Sequence, residues 1–187
     1  MLIALLSHAL FAHAQQAAPD GLSTYLRQSY AAVAKDLSAA VELMPAQDLE
    51  FRPAGVAKEV RTFAAIVHHI MAVNSWVCSL GEGKPDPISA LGPEPIVDKV
   101  RLLDLLGETD RRCTAYLATL TDSALTENLT FGPAPNPLQA ARGNAVVFAI
   151  AHSNEHYGNL VTYLRAKGLV PRAAASQARF FSPVRKP

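Results

Sequence analysis

The chain has 187 residues, 50% of them hydrophobic, which is enough to bury one sizeable core and too few for two. Seventeen Lys and Arg face sixteen Asp and Glu, so no surplus positive field exists to gather a polyanion, and this balance argues against nucleic acid as a partner.

Leu2 to Ala12 form an apolar run too short to span a membrane, and Ala12-His13-Ala14 supplies the small-x-small pattern of a signal-peptidase site. Residues 1–14 are therefore expected to be a cleaved leader, with a periplasmic or secreted mature protein, although no Lys or Arg precedes the run; without cleavage the place is the cytoplasm. No stable membrane insertion is expected after processing, because His68, His69, Asn74, His152 and Asn154 interrupt the later apolar windows.

From Leu22 to Leu43, the residues Leu22, Leu26, Tyr30, Val33, Leu37, Ala40 and Val41 recur at helical spacing, and Pro45 closes the segment. Phe51-Arg52-Pro53-Ala54-Gly55 reads as a connection. Thr62 can cap a second helix running through Leu80, with Ala65 in place of the acid that would complete a capping box. Gly81 to Pro95 is rich in Pro and Gly and reads as a loop. A third helix is expected from Ile96, burying Val100, Leu103, Leu106, Thr109, Cys113, Tyr116, Leu117 and Leu120. After a second Pro and Gly rich loop, from Phe131 to Pro137, a fourth helix should run from about Leu138 to Ala166 and stop at Gly168, with Pro171 beyond. Residues 172–187 are expected to be a tail or a short extra helix. No segment alternates long enough to predict a strand, so the class is all-α, a single four-helix bundle over residues 22–171. Antiparallel neighbours are the simplest packing, but both long loops could cross an end of the bundle. Cys78 and Cys113 either pair in an oxidising compartment or serve as two small buried hydrophobes.

The chemistry lies in the histidines. His152 and His156 are four apart on a stripe that also holds Ala145, Ala149, Leu160 and Tyr163, the face this helix would bury. Buried imidazoles need acceptors or a cation, and a divalent metal meets that need. A third ligand should come from the second helix, where His69 shares the sector of Ile66, Ile70 and Val73, while His68 is expected to be a rim residue or a neighbour that supports the ligands. Three histidines leave a position open for water or substrate, as catalytic zinc sites do, and suit nickel, cobalt or iron as well. Glu155 lies between the pair but not in the order of a His-Glu-x-x-His hydrolase; it is a candidate base at the rim, a partner of a ligand, or a solvated carboxylate.

The run His152-Ser-Asn-Glu-His-Tyr-Gly-Asn-Leu-Val-Thr-Tyr-Leu-Arg165, followed by Lys167-Gly168-Leu169-Val170-Pro171, resembles the last helix of the DinB/YfiT-like superfamily. Phe51-Arg52-Pro53 and Arg61-Thr62-Phe63 to His69 resemble the same family's connection and second helix, so the likeness covers about Leu22 to Pro171. The resemblance implies up-down-down-up connectivity, a homodimer, and a divalent metal ion such as zinc, nickel or iron on His69, His152 and His156. An open three-histidine set points to an enzyme activating water or a thiol against a small-molecule electrophile; a non-catalytic metal-binding or structural bundle of the cell envelope is the alternative. Arg165 is a candidate contact for an anionic substrate, with support of the helix end as its plainer role, and Tyr157, Tyr163 and Trp76 are expected to pack.

Overall fold

In a computed structural model, residues 21–131, 135 and 137–171 are described; the expected leader and the tail segment from Ala173 to Phe181 lie outside them. Four helices form, α1 Leu22–Leu43, α2 Phe63–Glu82, α3 Lys99–Ala118 and α4 Arg142–Ala166. The first has the bounds its periodicity predicts. Its N-terminus is closed from a distance: both carboxylate oxygens of Asp122 accept from the backbone N–H groups of Leu22 and Ser23, at 3.1 and 2.8 Å. Thr62 caps α2 as expected, its hydroxyl accepting from the Ala65 N–H at 3.3 Å, and Gly83 ends the helix with φ of 66°, where a glycine carries no Cβ penalty.

Two expectations fail at helix starts, each for a local reason. The third helix begins at Lys99 rather than Ile96, because the Asp98 carboxylate accepts from the Arg101 N–H at 2.7 Å and sets the cap there. Its buried face is consequently carried by Leu102, Leu106, Thr109 and Cys113, with Val100 exposed and Leu103 only half-buried. The fourth helix begins at Arg142 rather than near Leu138. Leu138–Ala141 is instead a strand, β2, paired antiparallel with β1, Asn128–Phe131, where no strand is expected. Four-residue strands are too short for alternation to show, and this pair is held by the seat of Leu129 and Phe131 against Val77, Ala145 and Ala149.

Each helix has two neighbours, α1 and α2 both packing against α3 and α4 across a square. Along α1 and α3 the partners run in opposite order, Tyr30 with Asp110 and Arg27 with the carbonyl of Leu120. Along α2 and α4 they also oppose: Arg61 with Tyr163, Asn74 with Ser153, Gly81 with Arg142. Along α2 and α3 both numbers rise together, Cys78 with Cys113 and Gly81 with Tyr116, so these two are parallel. The order is therefore up-down-down-up, and the simpler all-antiparallel packing does not occur. Parallel α2 and α3 oblige residues 83–98 to return along the bundle, which the loop does beside α2 with Ile88 buried as an anchor.

The main core gathers Leu37 and Val41 of α1 with Met44 just beyond its end, Phe63, Ile70 and Met71 of α2, Leu102 and Leu106 of α3, and Leu160 and Leu164 of α4. By length and hydropathy alone α2 would pass for a membrane span, but 67% of its most apolar window is buried inside the bundle. Cys78 and Cys113 form a disulfide between α2 and α3, which settles the choice left open by the sequence.

Candidate metal centre

His69 stands near the middle of α2, opposite His152 and His156 on antiparallel α4. The four-residue spacing stacks His152 and His156 on one face, about 40° apart around the axis, with ring centroids 4.4 Å from one another. The His69 ring lies 4.8 Å from the first and 5.0 Å from the second. One ligand-capable nitrogen from each ring falls within 4.8 Å of the other two, and the Nε2 atoms of His69 and His152 are 3.0 Å apart. At that separation either one nitrogen donates a proton to the other, or both face a common cation. Nitrogens bound to one ion at about 2.0–2.1 Å stand about 3–3.5 Å from each other, so side-chain rotation suffices to close this set on an ion.

Electrostatics favour the same use. Burial, with help from Arg61 and the neighbouring imidazoles, lowers the pKa of His69 to about 4. Burial also lowers those of His152 and His156, with Arg61 adding to it and the Glu155 carboxylate opposing it. Rings that stay neutral keep lone pairs free for a metal at neutral pH. Asn159 lies one turn after His156, its amide nitrogen 3.1 Å from His156 Nδ1. With the amide turned over, its oxygen accepts from Nδ1–H and leaves Nε2 as the ligand. His152 Nδ1 is enclosed and has no partner among the described residues. Beside the triad, the hydroxyl of Ser153 donates to Asn74 Oδ1 at 3.1 Å in the buried α2–α4 seam.

The other candidates are placed as follows. Glu155 is exposed, on the rim, close enough for its charge to be felt by both α4 histidines. Arg165 is exposed and lies about 2.5 turns beyond His156, beside Tyr157, so it does not join the triad. Tyr163 is buried, donating to the Arg61 carbonyl at 2.7 Å, and the Tyr157 hydroxyl is enclosed without a partner among the described residues. Trp76 is 40% exposed and packs on Phe131 with centroids 5.9 Å apart, while Phe148 lies 5.6 Å from the His152 ring. Of the two places expected for His68, the rim is corrected, since it is only 6% exposed. The helix face that turns His69 to α4 turns His68 toward the returning loop. Sequence reasoning passed over Arg61, whose signal was faint, a cation just before the α2 cap. Asn159 was legible in principle, three residues after a ligand candidate.

A pocket of about 270 Å³ adjoins the triad, with Arg61, His68 and His69 on one wall and the loop residues Ile88, Ser89 and Gly92 on the other. A wider depression of about 630 Å³ on the outer face of α1 holds none of the histidines.

Fold and triad together define a four-helix bundle with a candidate three-histidine metal centre between its second and fourth helices. The profile of the DinB superfamily matches residues 29–160, and the chain belongs to that superfamily. No protein of curated function matches it. Among solved structures it is similar to a DinB-like protein of Bacillus cereus ATCC 10987, at 18% identity and TM-score 0.60, over 78% of this chain and 93% of that one. A conserved protein of Enterococcus faecalis gives 14% identity and TM-score 0.61, over 78% and 96%. YfiT of Bacillus subtilis, described as a probable metal-dependent hydrolase with an unusual four-helix bundle topology, gives 21% identity and TM-score 0.59, over 83% and 93%.

Proposed function

We propose that this protein is a metal-dependent enzyme that activates water for attack on a small electrophilic substrate, with a thiol as the second choice of nucleophile. The carrying observation is the convergence of His69, His152 and His156, each with a nitrogen within 4.8 Å of the others. A divalent ion such as zinc, nickel or iron, held on those three nitrogens, would supply Lewis acidity and lower the pKa of a bound nucleophile. Burial lowers the pKa of all three rings, and Asn159 lies against His156 Nδ1 where it can orient the ring. Glu155, at the rim, would hold the proton released from the nucleophile. Phe148 packs beside the His152 ring and gives that side of the site an apolar edge. The description of YfiT as a probable metal-dependent hydrolase supports water over thiol.

Export is part of the proposal. It is supported by the apolar run ending at Ala12-His13-Ala14 and by the Cys78–Cys113 disulfide, a bond that oxidising compartments preserve. Such a compartment also disfavours a low-molecular-weight thiol as cosubstrate.

The test is metal analysis of the purified full chain, followed by a screen of ester, amide and lactone substrates. About one ion per chain is expected, with most of it lost in His152→Ala. Equal and negligible metal in both proteins would remove the reading. Hydrolysis by the loaded protein that is indifferent to His69→Ala would show that the ion is not its catalyst.

A further inference from the structure

The 270 Å³ pocket beside the triad is largely polar on the side formed by α2 and its cap. Its polar side chains are Arg61, His68, His69 and Ser89, and no acid is among its described lining residues. The Arg61 guanidinium has no hydrogen-bond or ion-pair partner among the described residues, and its charge is felt by all three triad histidines. His68 is 94% buried at the same wall, by subtraction from its 6% exposure. Its Nδ1 is enclosed with no partner, and Nε2 of this pocket-lining ring has no partner among the described residues. An enclosed bare acceptor is tolerated better than an enclosed N–H. A proton on Nε2, rather than on the enclosed Nδ1, gives the pocket that Arg61 overlooks a second donor.

We propose that this pocket binds the carboxylate of a small substrate, through the Arg61 guanidinium and His68 Nε2–H, and so presents the rest of that molecule to His69, His152 and His156. The assignment of a substrate rests on the enzymatic reading above; the anion site itself stands on the pocket alone. The volume sits just below the range of about 300–1,000 Å³ usual for drug-sized ligands, which limits the occupant to a compact acid. An Arg fork suits a carboxylate because it offers two parallel N–H donors. The crossover loop forms the far wall through Ile88, Ser89 and Gly92, so the up-down-down-up connectivity itself closes the pocket.

The experiment titrates succinate and its neutral counterpart succinamide into the full chain, metal-loaded and metal-free, while NMR follows the Arg side-chain and His ring signals. Succinate is expected to saturate one site in both forms and succinamide to leave it empty. Arg61→Gln should weaken succinate about tenfold or more, with Arg61→Lys recovering part of the loss and metal content unchanged in both. Equal succinate binding in wild type and Arg61→Gln, equal binding of succinate and succinamide, or no saturable binding of succinate each overturns the proposal. Binding that appears only in metal-loaded protein and survives Arg61→Gln places the acid on the ion and also overturns it. Metal content is read in the same samples. Protein that holds its ion but not succinate loses this inference alone, and protein that holds succinate on Arg61 without any ion loses the enzymatic reading alone.

Discussion

The two seams of α2 are built by opposite means. Toward α3 it is joined covalently by Cys78–Cys113, by the Arg112–Glu82 ion pair at 2.7 Å, and by apolar packing of Ile70 and Met71 near Leu102 and Leu106. Toward α4 it presents His69, Asn74 and the carbonyls of Arg61 and Gly81, which meet His152, His156, Ser153, Tyr163 and Arg142. The first seam is complete without any ligand. The second keeps unmet demands, among them three neutral imidazoles and the partnerless Nδ1 of His152, so its strength depends on what is bound.

The largest expected effect therefore belongs to the α2–α4 seam. A divalent ion at 1,000 times its dissociation constant should stabilise the fold by about 4 kcal/mol, seen as a rise in Tm that a chelator reverses. His152→Ala should abolish the rise; an equal rise in the variant would mean that the ion binds elsewhere. Reduction of the α2–α3 seam comes next. Opening Cys78–Cys113, which closes a loop with sequence separation 35, should cost about 2–4 kcal/mol in denaturant unfolding. The same loss is expected in Cys78→Ser with Cys113→Ser, and the double variant should still bind metal, since no triad residue touches the bridge.

How far each seam could be read from the sequence follows from the kind of interaction it uses. Helical periodicity gave α1 to the residue, and the His152 and His156 spacing gave two of the triad's three members, because both are local regularities of one helix. His69 over His68 was also legible, since the stripe of Ile66, Ile70 and Val73 fixes which side faces α4. The buried place of His68 was not, because it depends on a loop returning along α2, and the direction of that loop is a property of connectivity rather than of local pattern. The hairpin escaped for a related reason: Leu138–Ala141 is apolar enough for a helix, and only its pairing with Asn128–Phe131 makes it a strand. The anchoring of α1 by Asp122 joins residues about a hundred apart, and no spacing rule reaches that far.

Acid separates the seams by a smaller amount. His69 has a folded pKa of about 4 against 6.5 for a free imidazole, so the unfolded chain binds more protons between those values. In metal-free protein the stability that goes with a neutral His69 is whole above pH 6.5 and is lost as the pH falls toward 4. After discount for the partial solvent contact of the ring, the loss is about 1–2 kcal/mol. Urea unfolding at stepped pH should show this slope, and His69→Gln should flatten it; an unchanged slope in the variant would assign the acid sensitivity to other groups.

On the opposite side of the bundle, the α1–α3 seam holds a titrating group of reverse sign. Burial raises the Asp110 carboxyl to about 6, only partly offset by the bond it accepts from the Tyr30 hydroxyl at 3.1 Å. Burial, with the Asp110 charge beside it, likewise holds the Tyr30 phenol above its ordinary value, so Tyr30 remains the donor. Here the folded state binds the extra proton, so this group stabilises below pH 3.8 and the benefit is lost as the pH rises through 6. Asp110→Asn keeps an acceptor for Tyr30 and removes the buried charge. It should stabilise by about 1 kcal/mol at pH 7.5 and by little at pH 4. Because the Asp110 and His69 slopes oppose each other over the same pH range, Asp110→Asn should also make the acid loss of the metal-free protein steeper than in wild type. A variant whose profile runs parallel to wild type would show that Asp110 ionises alike in the folded and unfolded chains.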